Sequence, residues 1–166
     1  MSMARLTLPL LMAAALLLGA GAAQALQVGD PVVLPDIKLH DGSVLRAADL
    51  KGKVVVLEYW ASWCPFCKNT MPHLQKLYEA NKAKGLEVIM LSIDKTEREA
   101  VDALRERGFT FRAGMAGEQI NRVFGRLRGL PVTYVIGRDG RLARQEMGEL
   151  FAEDVAEFAD LLKPAR

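Results

Sequence analysis

The chain is poor in cysteine and histidine, with two of each in 166 residues. That scarcity argues against a dedicated structural zinc site, which takes four ligands. His40 and His73 lie far apart in sequence, and His73 reads as a surface or helix-packing residue. An excess of one charge is also missing, with 22 Lys and Arg against 20 Asp and Glu. Such a balance gives no reason to expect nucleic acid or an anionic surface as partner. Arg122, Arg126 and Arg128 form a local basic cluster that reads as a solvated face. No internal repeat or low-complexity run follows residue 25.

No apolar run is long enough for an obvious membrane span. Residues 6–21 carry no charge, and their apolar core, 8–18, falls short of the ~20 residues a spanning helix needs. With Arg5 before this run and Ala23-Gln24-Ala25 after it, the stretch has the three parts of a secretory signal peptide. The expectation is a signal peptide over 1–25 and one domain over 26–166, exported to the periplasm. An uncleaved leader would instead hold the domain at the inner membrane. No cysteine stands at the junction, which excludes a lipid-anchored lipoprotein.

What is present is concentrated. Both cysteines fall in Trp60-Ala-Ser-Trp63-Cys64-Pro-Phe-Cys67, two residues apart within a run of aromatics. An oxidising compartment lets disulfides persist. A bridge closing so short a loop staples little, however, because the constraint on the unfolded chain grows with loop length. A redox couple is the better reading. Pro65 suits the first helical position, which makes Cys64 the N-cap. There a thiolate accepts backbone N–H groups and feels the positive helix end, so its pKa falls. Cys64 is the candidate nucleophile and Cys67 the resolving thiol that releases a bound partner. A copper carrier or metallochaperone using the same thiols is the alternative, and a peroxidase a third.

The surrounding pattern alternates strands and helices. A hairpin is expected from Val32–Leu39 and Ser43–Leu45 around Asp41-Gly42. Val54–Leu57 reads as a strand buried on both faces and runs on to Glu58-Tyr59-Trp60. A helix follows the cysteines, with Met71, Leu74, Leu77 and Tyr78 on one face and Pro72 inside it. Then come a strand at Leu86–Ile93, a helix at Thr96–Arg107, a short strand at Phe109–Phe111 and a helix at Gln119–Phe124. Strands at Val132–Ile136 and Leu142–Met147 form a second hairpin. A closing helix over Phe151–Leu162 would carry Phe151, Val155, Phe158 and Leu162 as its apolar stripe. This order implies an α/β fold, a mixed central sheet with helices on both faces. Glu58 ends an apolar strand and is either buried beneath the cysteines or an exposed strand-end acid. Pro131 is either a strand-entry proline or a cis proline in a tight turn.

Together these residues resemble the thioredoxin superfamily, over nearly all of 28–164. Val54–Pro72 is similar to its active-site strand and helix: apolar strand, acid, aromatic pair, W-C-x-x-C-K and a helix-kinking proline. Gly129–Tyr134 resembles its cis-proline loop. The stretch from Asp41 to Cys64, and the extra elements between Asp94 and Gly129, look most like the exported TlpA/ResA-type proteins. The resemblance implies a thioredoxin-like fold with an N-terminal β-hairpin and a central insertion. It also implies a disulfide-exchange enzyme, usually a reductant fed by a membrane electron donor of the thiol-transporter type. The roles it implies are nucleophile Cys64, resolving thiol Cys67, buried proton acceptor Glu58 and cis-proline Pro131. Trp63, Phe66 and Leu130 would form the client-binding rim. The expected clients are exported cysteine-containing proteins, among them apocytochrome c, copper-site proteins or a general pool. The expected enzyme is a monomer without metal or cofactor. The mature chain has no room for the inserted helical domain of DsbA-like oxidants or a dimerisation domain of the isomerase type, which favours a reductant.

Overall fold

The computed structural model describes residues 26–163. The expected leader, 1–25, lies outside them. Two buried parallel strands, β3 (Val54–Trp60) and β4 (Leu86–Ser92), form the middle of the molecule. Every residue of both is buried, which is why each reads as a nearly continuous apolar run. Strand β5 (Arg112–Met115) extends the sheet in parallel beyond β4. On the other side β6 (Val132–Ile136) runs antiparallel to β3, and β7 (Leu142–Met147) antiparallel to β6. The order is β5-β4-β3-β6-β7. Strands β1 (Ile37–Lys38) and β2 (Val44–Leu45) make a separate small hairpin. The side chain of Asp41 accepts from the Ser43 backbone and hydroxyl and holds its turn.

Two apolar layers sandwich the sheet. Helix α1 (Pro65–Asn81), α2 (Glu97–Arg107) and α4 (Ala152–Glu157) supply Met71, Leu74, Ala100 and Val155 to one face, where Val54, Val56 and Trp60 meet them. On the other, α3 (Glu118–Phe124) and the hairpin bring Ile120, Phe124, Ile37 and Leu45 against Val55, Leu57 and Tyr59. Helix α2 starts in a capping box between Thr96 and Glu99 and ends at Gly108 in the left-handed region, φ 67°.

Three expectations are corrected. The edge strand is Arg112–Met115, not Phe109–Phe111. Phe109 and Phe111 stack on each other, with ring centroids 5.1 Å apart, and pack into the α1/α2 layer. Only Ile37–Lys38 of the expected 32–39 strand pairs in the hairpin. Further upstream, Pro31 makes a single bridge to Arg141. The closing helix is α4 followed by a 3-10 turn at Phe158–Leu162. Phe151 caps it from outside, 55% exposed, while Val155 and Phe158 are buried.

Candidate active site

Strand β3 ends at Trp60 and α1 begins at Pro65, so 61–64 form a tight link at the carboxyl end of the parallel strands. Cys64 is the N-cap with extended backbone, φ −85° and ψ 111°, and its Sγ accepts the Cys67 N–H at 3.2 Å. Cys64 and Cys67 are joined as a disulfide, their Cα atoms 5.4 Å apart. Cys67 is fully buried and Cys64 nearly so. Their neighbours Trp63 and Phe66 are 65% and 55% exposed, an apolar rim beside the sulfurs.

The Leu130–Pro131 peptide bond is cis. Because β6 pairs antiparallel with β3 through Tyr59↔Val132, Pro131 comes at the end of β3 from which the Cys64 link emerges. Leu130 packs on the apolar cluster that contains both cysteines.

Glu58 is completely buried. Strand alternation places it on the α1 face with Val56 and Trp60, the face that also holds Cys64 and Cys67. Its register partners are Met90 on β4 and Thr133 on β6. The Thr133 hydroxyl donates to Glu58 Oε2 at 3.0 Å, and Oε1 has no partner among the described residues. Loss of water around the carboxyl pushes its pKa up to about 8, against the opposing pull of the Thr133 hydrogen bond.

Sequence reasoning missed Asp94. Its buried carboxylate accepts from Ser62 N at 3.1 and 3.0 Å, from Ser62 Oγ at 2.8 Å and from Ser92 Oγ at 2.7 Å. It thereby ties the link before Trp63 and Cys64 to the end of β4. The signal was only a small polar residue and an acid at the end of a buried strand, which is common at strand ends. Thr133 was also missed as the Glu58 partner, because the pairing of β3 with β6 is not a local property of the chain. Among the described residues no three His, Cys, Asp or Glu side chains gather where a metal ion could be held. No helix among them is long and apolar enough to cross a membrane.

A vicinal sulfur pair at a helix N-terminus, with a cis proline at the neighbouring strand start on this sheet, defines a thiol–disulfide oxidoreductase of thioredoxin-like fold. Residues 27–162 match the Redoxin family, and the chain belongs to it. It is 31% identical over 125 residues to the thiol-disulfide oxidoreductase ResA of Bacillus thuringiensis strain Al Hakam, covering 75% of this chain and 72% of that one. A Chlorobium tepidum structure assigned as the thiol:disulfide interchange protein DsbE superposes with a TM-score of 0.75 at 27% identity, over 84% of this chain and all of the other. StoA from Bacillus subtilis shares the fold, with a TM-score of 0.65 at 19% identity, over 76% of this chain and 98% of its own.

Proposed function

We propose that the protein is an exported reductant of disulfides in secreted client proteins, with Cys64 as nucleophile and Cys67 as resolving thiol. The observation that carries this reading is the placement of Cys64. It caps α1, receives the Cys67 N–H and lies, itself nearly buried, next in sequence to the exposed ring of Trp63 and two residues before that of Phe66. In the reduced enzyme the helix end favours the Cys64 thiolate. That thiolate attacks one client sulfur. An S–S bond forms between Cys64 and the client, the client disulfide breaks, and its other sulfur leaves as a thiolate that takes a proton from solvent. Cys67 then gives its proton to the Glu58 carboxylate and attacks Cys64 Sγ. The mixed disulfide breaks, Cys64–Cys67 forms, and the client leaves with both sulfurs reduced. Two electrons pass from the enzyme to the client, and a membrane thiol donor restores the dithiol. Glu58 suits the acceptor role because burial raises its basicity, and with its pKa pushed up to about 8 a minor share of the folded protein carries the carboxylate at neutral pH, a share that grows as pH rises. Export is supported by the leader pattern of 1–25 and by the need for a compartment in which disulfides persist.

The direction is tested by mixing pre-reduced protein with a peptide disulfide and counting disulfides by mass. One peptide disulfide should disappear for each Cys64–Cys67 bond formed. A peptide that stays oxidised while the protein stays reduced would overturn the reductant assignment.

A further inference from the structure

The basic cluster noted in the sequence lines a cleft of about 910 Å³ beside the cis-proline loop. Its floor is the face of β6 and β7 opposite the cysteines. Val132 stands across from Met147 and Tyr134 across from Gln145. Phe124 braces this floor, its ring centroid 4.2 Å from that of Tyr134. The wall is the end of α3 and the segment after it, which carry Arg122, Arg126 and Arg128. All three arginines are exposed, and among the described residues no carboxylate lines the cleft. Arg122 reaches Glu118 at 3.6 Å, an exposed pair of little strength. Arg126 and Arg128 have no ion-pair partner among the described residues. The apolar end of the cleft, Val132 and Met147, directly adjoins Pro131, whose carbonyl accepts the Gly148 N–H at 2.9 Å.

We propose that this cleft receives the segment flanking the client's reacting cysteine, and that the preferred clients carry carboxylates there. The inference rests on the disulfide-exchange reading of the site and adds a substrate preference to it. A mixed floor of Val132, Met147, Tyr134 and Gln145 beside three cations fits an extended chain that carries both apolar and acidic side chains. Continuity with the cis-proline loop lets one client segment span the rim and the cleft together. A concave trough is a poorer match to a lipid surface, for which a flat or convex basic face would serve. On this proposal the cluster, solvent-exposed as its sequence suggests, also serves as a recognition wall.

The test uses two peptides with one intramolecular disulfide each, identical except for three Glu or three Gln beside it. Serine-for-cysteine versions of both report binding alone, by fluorescence anisotropy. The full chain should bind the acidic version about tenfold more tightly at low ionic strength, the scale of three exposed ion pairs. Raising the salt should shrink that ratio towards one. Combined Arg122→Glu, Arg126→Glu and Arg128→Glu should bring the ratio to one or below, whereas Arg107→Glu, on α2 outside the cleft, should leave it intact. If the triple reversal does not fold, Arg126→Gln with Arg128→Gln gives the same readout at smaller amplitude. A ratio of one in the unaltered protein, or a ratio untouched by either set, overturns the proposal. So does loss of binding to phosphatidylglycerol vesicles in the triple variant with the peptide ratio unchanged, which would make the cleft a lipid contact. Preferential binding by a protein that never reduces the disulfide peptides refutes the reductant reading and upholds the docking cleft. Reduction without preference does the reverse.

Discussion

Replacing Glu58 by Gln separates stability from chemistry. The carboxyl is fully buried, and its pKa stands at about 8 against an ordinary value of 4.5. A folded-state pKa above the unfolded one means that the group's contribution is complete below about pH 4.5 and is lost as pH climbs towards 8. At pH 7 the unfolded chain has released this proton while the folded chain holds it. The penalty is about 3 kcal/mol, at 1.36 kcal/mol for each of roughly 2.5 pH units. Gln removes the titration and keeps an oxygen for the Thr133 hydroxyl, but it buries amide hydrogens without partners, at a pH-independent cost of about 1–3 kcal/mol. The two effects nearly offset at pH 7, so the pH dependence decides. Urea unfolding of both proteins, fully oxidised, from pH 5 to 9 should show the native protein losing ground to Glu58→Gln by about 1.4 kcal/mol per pH unit up to pH 7.5. The difference should level off above pH 8. In the reduced protein, Glu58→Gln should slow the second exchange step and accumulate mixed disulfide. The native enzyme should release its partner faster as Glu58 ionises, and Glu58→Gln should lose that rise. A stability difference that does not change with pH, together with normal release, would refute the reasoning.

Other expectations follow from the packing around the site. Asp94→Ala removes the acceptor for Ser62 N, Ser62 Oγ and Ser92 Oγ, and should cost about 2–4 kcal/mol in thermal unfolding, with Asp94→Asn losing less. Peptide reduction should also slow in Asp94→Ala, because the link carrying Trp63 and Cys64 is no longer tied to β4. In Gly114→Ala the new Cβ would overlap the Lys38 carbonyl oxygen, a backbone atom that cannot rotate aside. Urea unfolding should show a loss of about 1–3 kcal/mol. Leu74→Ala, in the layer beneath the sulfurs, should cost about 2–5 kcal/mol by the same measurement.

The central elements were legible because their signals are local. Buried parallel strands read as apolar runs, and Cys64-Pro65 marks a helix start through the chemistry of capping. Glu58 could be narrowed only to two readings, since burial of a strand-end acid depends on what covers it. Here α1 covers one side, and the neighbouring strands bring Met90 and Thr133 into register. The β5 error has a physical cause. Arg112-Ala-Gly-Met115 has little strand propensity, yet Gly114 lets the hairpin backbone come close enough for Leu39 to bridge to it. The more strand-like Phe109 and Phe111 were drawn instead into the helical layer. Phe151 shared helical spacing with Val155 and Phe158. The helix starts one residue later, however, with the Phe151 N–H bonded to Asp154 Oδ2 at 2.9 Å and its ring left outside. The arginine cluster showed its charge in the sequence but not its cleft, because the floor comes from β6 and β7, which follow it in the chain.

The most direct test of the central claim is a trapping measurement with two variants. Cys67→Ala and Cys64→Ala are each reduced, mixed with the same disulfide peptide, quenched with acid and read by mass. Cys67→Ala should hold the peptide as a mixed disulfide on Cys64, stable because no resolving thiol remains, while Cys64→Ala should hold almost none. An adduct on Cys67 in Cys64→Ala, with none in Cys67→Ala, would contradict the assignment of nucleophile and resolving thiol.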